Sequence, residues 1–230
     1  MFDWQPVFLS LKVASIALVF VSVLGTMLAY LTARVRFRGK DALETIVTLP
    51  LVLPPVVTGF GLLLLIGRQG PVGRILNDLF HTQIVFTPYA AVLAGLLVSV
   101  PLMYQSAKAA LQGVDVHLED VARTLGSSEP KVFFTVTLPL AWPGIVSGMV
   151  LSFSRAMGEF GATALVAGNI PGRTQTIPVA IFFAAESNDL ATAGYYVLII
   201  SLLTFAMVFG VNRWARRKME RYNDRRAKMC

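Results

Sequence analysis

The sequence of 230 residues is too apolar to cover the surface of a soluble globular domain, since 55% of its residues are hydrophobic and only 14% are charged, against about a quarter in typical soluble domains. This composition excludes most cytosolic enzymes. The net charge of +7 is compatible with nucleic acid, an anionic membrane face or an acidic partner, and its distribution decides among them. The single cysteine, Cys230, allows no disulfide within the chain and no Cys-based metal cluster.

Five uncharged stretches, each longer than 20 residues, predict an all-α, polytopic membrane protein. At ~1.5 Å per residue, about 20 helical residues cross the ~30 Å hydrocarbon core of a bilayer. The first stretch has no basic region before it and begins with the aromatic residues Phe2, Trp4 and Phe8, which indicates a retained helix rather than a cleaved signal. We expect one transmembrane domain over residues 1–230. Its five transmembrane helices are predicted at about residues 10–33, 45–67, 86–107, 136–157 and 190–212.

A sixth apolar run, residues 174–185, is expected not to span the membrane. It has only 12 residues between Arg173 and Glu186, and a run of that length is more often re-entrant, interfacial or buried in protein. Joining it to residues 160–172 would place Arg173 inside the bilayer. The sequence leaves open which of the shorter arrangements it adopts.

The basic residues predict the orientation. With five spans, the positive-inside rule makes the side that receives most of them cytoplasmic, which places the N-terminus outside and the C-terminus inside. The other side keeps only Arg68, Arg74 and Arg173 in its loops, with Lys12 near the start of the first span. Membrane lipid at the basic tail explains the remaining charge without nucleic acid. The predicted cytoplasmic residues are Arg34, Arg36, Arg38, Lys40, Lys108, Arg123, Lys131, Arg213, Arg216, Arg217, Lys218, Arg221, Arg225, Arg226 and Lys228.

The second predicted span contains three prolines, Pro50, Pro54 and Pro55, within six positions of the run LPLVLPPVVTGFG. Proline removes a helix hydrogen bond, and in a bilayer the freed carbonyls need protein or water as partners. We therefore expect a kinked helix that faces the protein interior. A passive kink for packing and direct lining of a pathway are both compatible with this pattern.

The longest predicted cytoplasmic connection, residues 108–138, carries the signals of a short helix of about three turns. Asp115 is a suitable N-cap, and Glu119 and Asp120 follow early, where the helix dipole favours acids. Gly126 is a suitable C-terminal stop. These signals alone are equally compatible with a surface helix that merely connects two spans.

The same loop resembles the EAA loop of binding-protein-dependent ABC importer permeases, E-A-A-x3-G-x9-I-x-L-P. Asp120, Val121 and Val136 replace Glu, Ala and Ile of that pattern, and Glu119 keeps a second acid beside Asp120. The resemblance implies that this helix docks in a groove of a separate ATPase subunit, with small residues permitting close approach. The residues to which it assigns this coupling role are Glu119, Asp120, Val121, Ala122, Gly126, Leu138 and Pro139.

The fourth predicted span has a face of small residues at intervals of four: Gly144, Gly148, Ser152 and Ala156. Such stripes let helices approach closely, so we assign Gly144, Gly148 and Ser152 to helix packing.

Arg155 and Glu159 follow on the same helix, four residues apart, and can pair on one face. An arginine inside a membrane costs roughly 2.5 to 3.5 kcal/mol on insertion scales, which makes the pair a candidate for the translocation pathway. A structural ion pair that holds a bend near Gly158 and Gly161 is the equal alternative.

Five segments together resemble the molybdate, tungstate and sulfate branch of these permeases, the molybdate permeases most closely. The resemblance covers nearly the whole chain and implies the type I ABC importer permease fold in a bacterial inner membrane. It also implies a homodimer, two ABC ATPase subunits that carry ATP and Mg, and an extracytoplasmic oxyanion-binding protein. Tungstate and sulfate are the alternative substrates. The segments are LPLVLPPVVTG (49–59), VDVHLEDVARTLG (114–126), VFFTVTLPL (132–140), RAMGEFGA (155–162) and NIPGRTQTIP (169–178).

Several functions are disfavoured by what the sequence lacks. It contains no phosphate-binding motif G-x-x-x-x-G-K-[ST], so we expect no catalytic residue and no cofactor in this chain, and ATP hydrolysis by another subunit. His81 and His117 fall on opposite sides of the membrane, and no acid pair has metal-ligand spacing, so no metal site is expected. A channel or an ion-gradient-driven transporter is the alternative class; the docking loop and the lack of an internal repeat argue against it.

Overall fold

The regular structure of the described residues is entirely helical. The structure is a computed structural model that describes residues 2–35 and 37–227, with only the backbone described at 211–212 and 215–227. Arg36, Lys228 and Cys230, which entered the charge and cysteine predictions, lie outside the described residues. The helices are α1 (Gln5–Arg34), α2 (Lys40–Val52), α3 (Pro55–Ile66), α4 (Pro71–Phe80), α5 (Pro88–Gln112), α6 (Val116–Thr124), α7 (Glu129–Val132), α8 (Leu138–Met157), α9 (Gly161–Val166), α10 (Ile177–Glu186) and α11 (Leu190–Ala227).

Within the described residues, four helical stretches are long and apolar enough to cross a membrane: α1, α5, α7 continued into α8, and the first part of α11 (Leu190–Gly210). A fifth candidate consists of α2 and α3 together, which are bent by 117° at their junction. The expected count of five is reached when this bent pair is taken as one span.

The junction between α2 and α3 is a break rather than the kink expected from the prolines. Leu53 is extended, with ψ 144°, as a residue before proline must be, and Pro54 follows with ψ 139°. Two successive extended residues end one helix and let Pro55 begin the next. α3 buries Thr58, Gly59, Leu62 and Ile66, whereas no residue of α2, which is described throughout, is buried, although α2 packs against α5.

The centre of the fold is formed by α1, α5 and α8, which pack against one another through small residues. Ala14, Ala17 and Gly95 lie where α1 meets α5 and α8, and the two alanines are fully buried. A Cβ atom at Gly25 of α1 would lie 2.6 Å from Cγ of Met103 in α5. Close backbone approach of this kind is the usual basis of helix association in membranes.

The short apolar run near residue 180 forms α10, a helix of 10 residues that is ~15 Å long, or half the hydrocarbon thickness. Its first backbone N–H, at Ile177, donates a buried 2.8 Å hydrogen bond to Oγ of Ser10 in α1. The helix also packs against α11. It is therefore held against the bundle by both neighbours.

Candidate functional site

The predicted loop helix is α6, and local capping fixes both of its ends. Asp115 accepts a 3.0 Å hydrogen bond from the backbone N–H of His117 at the N-terminus. At the C-terminus, the N–H of Gly126 donates to the carbonyl of Arg123 (2.9 Å) and the N–H of Ser127 to that of Ala122 (3.1 Å). This is a Schellman motif, so the predicted N-cap and C-terminal stop are confirmed.

Gly126 has a backbone reason to be glycine. Its φ of +83° lies in the left-handed region, which residues with a Cβ rarely adopt. A Cβ atom built there would meet no atom of the described residues within 4 Å. Within this chain the position therefore requires glycine for its conformation and not for close packing.

Glu119 is the buried acid of α6, with only 2% of the residue exposed. Its Oε1 accepts hydrogen bonds from Nη2 of Arg34 and Oγ1 of Thr137, both at 2.7 Å. The same Nη2 donates to the carbonyl of Leu111 at 3.0 Å. A buried carboxylate requires such partners, and here they connect α6 to the ends of α1, α5 and α8.

The motif acid Asp120 lies on the outer side of α6 and is exposed. It pairs with Nη1 of Arg123 at 2.7 Å, while Nε of Arg123 binds Glu129 at 2.6 Å. The hydrogen bonds that Arg123 donates, to Glu129 first and then to Asp120, raise its pKa, and the guanidinium stays charged at every physiological pH. Exposed pairs of this kind contribute little individually. Sequence spacing did not indicate the link from Arg123 to Glu129, because it crosses the turn at Gly126.

The Leu-Pro end of the motif shapes the entry to α8. Pro139 has no backbone N–H, and the N–H of Leu138 reaches back five residues to the carbonyl of Phe133, forming a π-helical turn at Phe133–Thr137. Thr137 is buried on this turn, where its hydroxyl reaches Glu119. Leu138 and Pro139 thus lie directly after the turn that carries Thr137.

The outward face of α6 is apolar. Leu118, Val121 and Leu125 recur at helical spacing and are 47%, 59% and 81% exposed, respectively. Ala122 beside them is half-buried. Nothing in the described part of the chain covers this face, and a contiguous exposed apolar surface on a helix outside the membrane spans is typical of a protein contact site.

The small-residue stripe of α8 lies against α5. A Cβ atom at Gly144 would be 2.5 Å from Cβ of Ala110, and one at Gly148 would be 2.7 Å from Cβ of Ser106. Ser152 donates a 3.3 Å hydrogen bond to the carbonyl of Ser99. The structure therefore places all three predicted packing residues at one helix–helix contact.

Arg155 and Glu159 form an ion pair at the C-terminal end of α8, with Nη1 of Arg155 2.7 Å from Oε2 of Glu159. The other oxygen of Glu159 accepts a 2.8 Å hydrogen bond from the backbone N–H of Ala162 in α9. The Glu159 side chain is 2% exposed and that of Arg155 is 29% exposed. Glu159 therefore holds the arginine and also bridges the break between α8 and α9.

The break next to this pair contacts the proline-rich junction. A Cβ atom at Gly59 of α3 would lie 2.6 Å from Cα of Ala162, and one at Gly161 would lie 2.8 Å from Cβ of Pro55. The proline-rich junction and the break after α8, over a hundred residues apart in the sequence, thus form one contact.

Within residues 2–35 and 37–227, no group of three or more His, Cys, Asp or Glu side chains could hold a metal ion.

Comparison with known proteins defines the class. The family model described as binding-protein-dependent transport system inner membrane component matches residues 13–221. The chain belongs to this family. It is 45% identical over 215 residues to the molybdenum transport system permease protein ModB of Escherichia coli K12, a match that covers 94% of each chain. It is 43% identical over 210 residues to the putative molybdenum transport system permease protein YvgM of Bacillus subtilis 168, covering 91% of this chain and 92% of the relative.

A sulfate relative and two solved structures complete the comparison. The probable sulfate transport system permease protein cysT of Prototheca wickerhamii is 35% identical over 203 residues, or 88% of this chain and 79% of its own. A bacterial ABC transporter for import of alginate matches with a TM-score of 0.73 and 17% identity, over 93% and 78% of the two chains. The inward-facing MetNI methionine ABC transporter matches at 0.68 and 16%, over 93% and 94%. These structures show that the fold is that of ABC importer permeases.

Proposed function

We propose that this chain is the permease subunit of an ABC importer that moves an oxyanion, molybdate in the first instance, with ATP hydrolysed by a separate subunit. The choice of molybdate as the substrate rests on the 45% identity to a molybdenum permease over 94% of both chains. Because one relative is a probable sulfate permease, sulfate remains an alternative substrate, and so does tungstate, another oxyanion of the same branch. Family membership and the docking helix argue against an ion-gradient-driven transporter.

The exposed apolar face of α6 supports docking on an ATPase subunit. Its three large side chains project away from the bundle, while Glu119 on the buried side ties the helix to α1, α5 and the turn before α8. A displacement of α6 by the ATPase would therefore act on three membrane helices together. Coupling between distant sites needs such a connected element with two arrangements.

A second copy of this chain is the proposed partner inside the membrane, and an extracytoplasmic oxyanion-binding protein the partner outside. The whole of α2 lacks buried residues, and Ile46, Leu49 and Val52 expose apolar surface there. Two copies related by a two-fold axis would supply a central passage between them. A bacterial alginate ABC transporter of similar fold has been solved in complex with a periplasmic protein, which supports the external partner.

Arg155 is the proposed positive group on the anion route, and Glu159 the residue that holds it. The asymmetry in exposure supports these roles. The Glu159 side chain is 2% exposed and both of its oxygens accept hydrogen bonds, whereas Arg155 is 29% exposed and, within the described residues, donates only to Glu159. A partly hydrated arginine attracts an anion without leaving an unpaired charge in hydrocarbon.

The proposed orientation places the N-terminus outside and the C-terminus in the cytoplasm of a bacterial inner membrane. The basic residues after α1, around α6 and in the C-terminal tail support it. Cys230, the only cysteine, tests it by labelling with an impermeant thiol reagent in intact cells. We expect the reagent to label Cys230 only after the cells are permeabilised. Ready labelling in intact cells would place the C-terminus outside and contradict the proposed orientation.

The transport proposal is tested by reconstitution. The chain, co-purified with the ATPase and binding protein of its own genetic neighbourhood, is placed in liposomes, and ATP-dependent uptake of molybdate, tungstate and sulfate is measured. We expect molybdate uptake that requires both partners. Sulfate uptake without molybdate uptake would show that the protein is a sulfate permease. Uptake without ATP would contradict an ABC mechanism.

The docking surface is tested in the same preparation by Leu125→Glu, which charges the most exposed residue of the apolar face of α6. We expect loss of ATPase binding with normal membrane insertion. The matched control is Leu79→Glu on α4, where a leucine is 68% exposed on the proposed outer side. Equal ATPase binding by Leu125→Glu and Leu79→Glu would remove α6 from the interface.

A further inference from the structure

The segment NIPGRTQTIP, residues 169–178, has no part in the proposed coupling mechanism, yet its backbone is firmly held. The N–H groups of Arg173 and Thr174 both donate to the carbonyl of Ile170, at 3.0 and 2.9 Å. The buried hydroxyl of Thr174 accepts the N–H of Ile170 at 3.1 Å, and the N–H of Ile177 binds Ser10 of α1. The position of Arg173 is thus set by contacts on both sides.

A cavity of about 310 Å³ lies between this turn and the start of α1. Gln5, Phe8 and Lys12 line it from one face of the helix, and Gly172, Arg173 and Gln175 line it from the turn. Helical side chains lean toward the N-terminus of their helix, which directs Lys12 toward the turn. Gly172 has φ +76°, and a Cβ atom there would crowd Oε1 of Gln5 at 3.1 Å, so glycine keeps this wall open.

The charged groups of the cavity are all positive. Among the described residues, Lys12 and Arg173 are its only charged lining residues, and neither forms an ion pair with a carboxylate of that part of the chain. The ammonium and guanidinium groups offer hydrogen-bond donors and no acceptor, and two glutamine amides add further donors. The glutamine carbonyls are the side-chain acceptors of this lining, but its two positive charges disfavour a metal cation and favour an anion.

The position of the cavity along α1 indicates which anions can reach it. Lys12 precedes Arg34 by 22 residues, or about 33 Å of helix, close to the ~30 Å hydrocarbon thickness. With Arg34 held at one boundary beside α6, Lys12 lies at the opposite boundary. Arginine forks match tetrahedral oxyanions, and the cavity has about ten times the ~30 Å³ volume of a water molecule.

We propose that Lys12 and Arg173 form a binding site for a tetrahedral oxyanion at the outer boundary of the membrane. The anion is either a free oxyanion or the phosphate of a phospholipid headgroup, since both present the same oxygens to the two cations. This site does not depend on the proposed transport function, because it rests on the cavity and its charges.

Equilibrium binding to the purified full-length protein tests the proposal. The probes are radiolabelled sulfate, phosphate and molybdate, and phosphatidylglycerol retained from mixed lipid and measured by mass spectrometry. We expect Lys12→Gln/Arg173→Gln to bind its anion at least about tenfold more weakly, because the double variant removes both charged hydrogen-bond donors of the site. Lys12→Arg should keep binding, and so should Arg74→Gln, a control that removes an exposed cation outside the cavity.

The free-anion and phosphatidylglycerol measurements distinguish the two sources of the bound oxyanion. Selective loss of a free anion by the double variant assigns a site for soluble oxyanions, and selective loss of phosphatidylglycerol assigns a lipid site. Equal binding of every probe by the wild type, the double variant and Arg74→Gln would overturn the proposal.

Discussion

The carboxylate of Glu119 and the guanidinium of Arg34 lie 2.7 Å apart and join α6 to the C-terminal end of α1. Because Glu119 is buried and Arg34 also binds the last turn of α5, the pair is shared by three helices. Networks of this kind act as a unit when the surroundings exclude water. The pair therefore provides the connection between α6 and the membrane helices that the proposed coupling mechanism requires.

Glu119→Gln is expected to uncouple ATP hydrolysis from uptake, because Arg34 loses its charged partner. Removing one member of a buried pair costs about 3–5 kcal/mol at full effect. The control is Asp120→Asn, which breaks only an exposed pair that contributes little to stability. The measurement is oxyanion imported per ATP hydrolysed in proteoliposomes. A larger defect in Asp120→Asn than in Glu119→Gln would return the coupling role to Asp120.

Gly126→Leu is expected to reduce transport, and Gly126→Asn to keep most of it. The left-handed φ of +83° costs a leucine about 1–2 kcal/mol, whereas asparagine tolerates this region. Uptake is measured together with membrane insertion and ATPase binding. If both variants lose ATPase binding alike, the side chain itself clashes with the partner, and close approach rather than backbone conformation explains the glycine.

The double exchange Arg155→Glu/Glu159→Arg is expected not to restore the stability lost in the single variants. Glu159 also accepts the N–H of Ala162 at 2.8 Å, and an arginine in its place has no acceptor to offer. Thermal unfolding in detergent compares the exchange with Glu159→Gln, which keeps a carbonyl acceptor and should unfold at the higher temperature. Full recovery in the exchange would reduce the pair to a simple charge interaction.

Arg155→Gln separates the structural role of the pair from transport. We expect this variant to insert and bind the ATPase, and to unfold at a lower temperature than the wild type because the buried Glu159 loses its charged partner. Oxyanion uptake per inserted molecule should fall by at least about tenfold, or 1.4 kcal/mol. Uptake at the wild-type rate in both Arg155→Gln and Glu159→Gln would show that neither charge serves the anion route.

Gly59→Ala is expected to destabilise the protein, and Gly61→Ala to leave it unchanged. A Cβ atom at Gly59 would lie 2.6 Å from the backbone of Ala162, whereas one at Gly61 would meet nothing within 4 Å in the described part of the chain. Overpacking a tight contact costs about 1–3 kcal/mol. Thermal unfolding of the two variants, made in the same helix, measures the difference. A neutral Gly59→Ala would mean that α3 and α9 are less closely packed than the structure shows.

The sequence by itself determined the features that depend on neighbouring residues. The lengths of the uncharged stretches, compared with the thickness of the bilayer, predicted the spans. Capping residues predicted where α6 begins and ends, because Asp115 and Gly126 act on backbone groups within one turn. Spacing of four along a helix predicted that Arg155 reaches Glu159.

Only the tertiary structure decided the contacts between distant segments. Glu119 and Asp120 are adjacent, and successive side chains point about 100° apart around a helix, so α1 and the π-helical turn determine which acid is buried. The angle of 117° between α2 and α3 likewise depends on what α3 packs against. Lys12 and Arg173 line one cavity because the start of α10, directly after the turn, binds Ser10 of α1, a contact that no local pattern encodes.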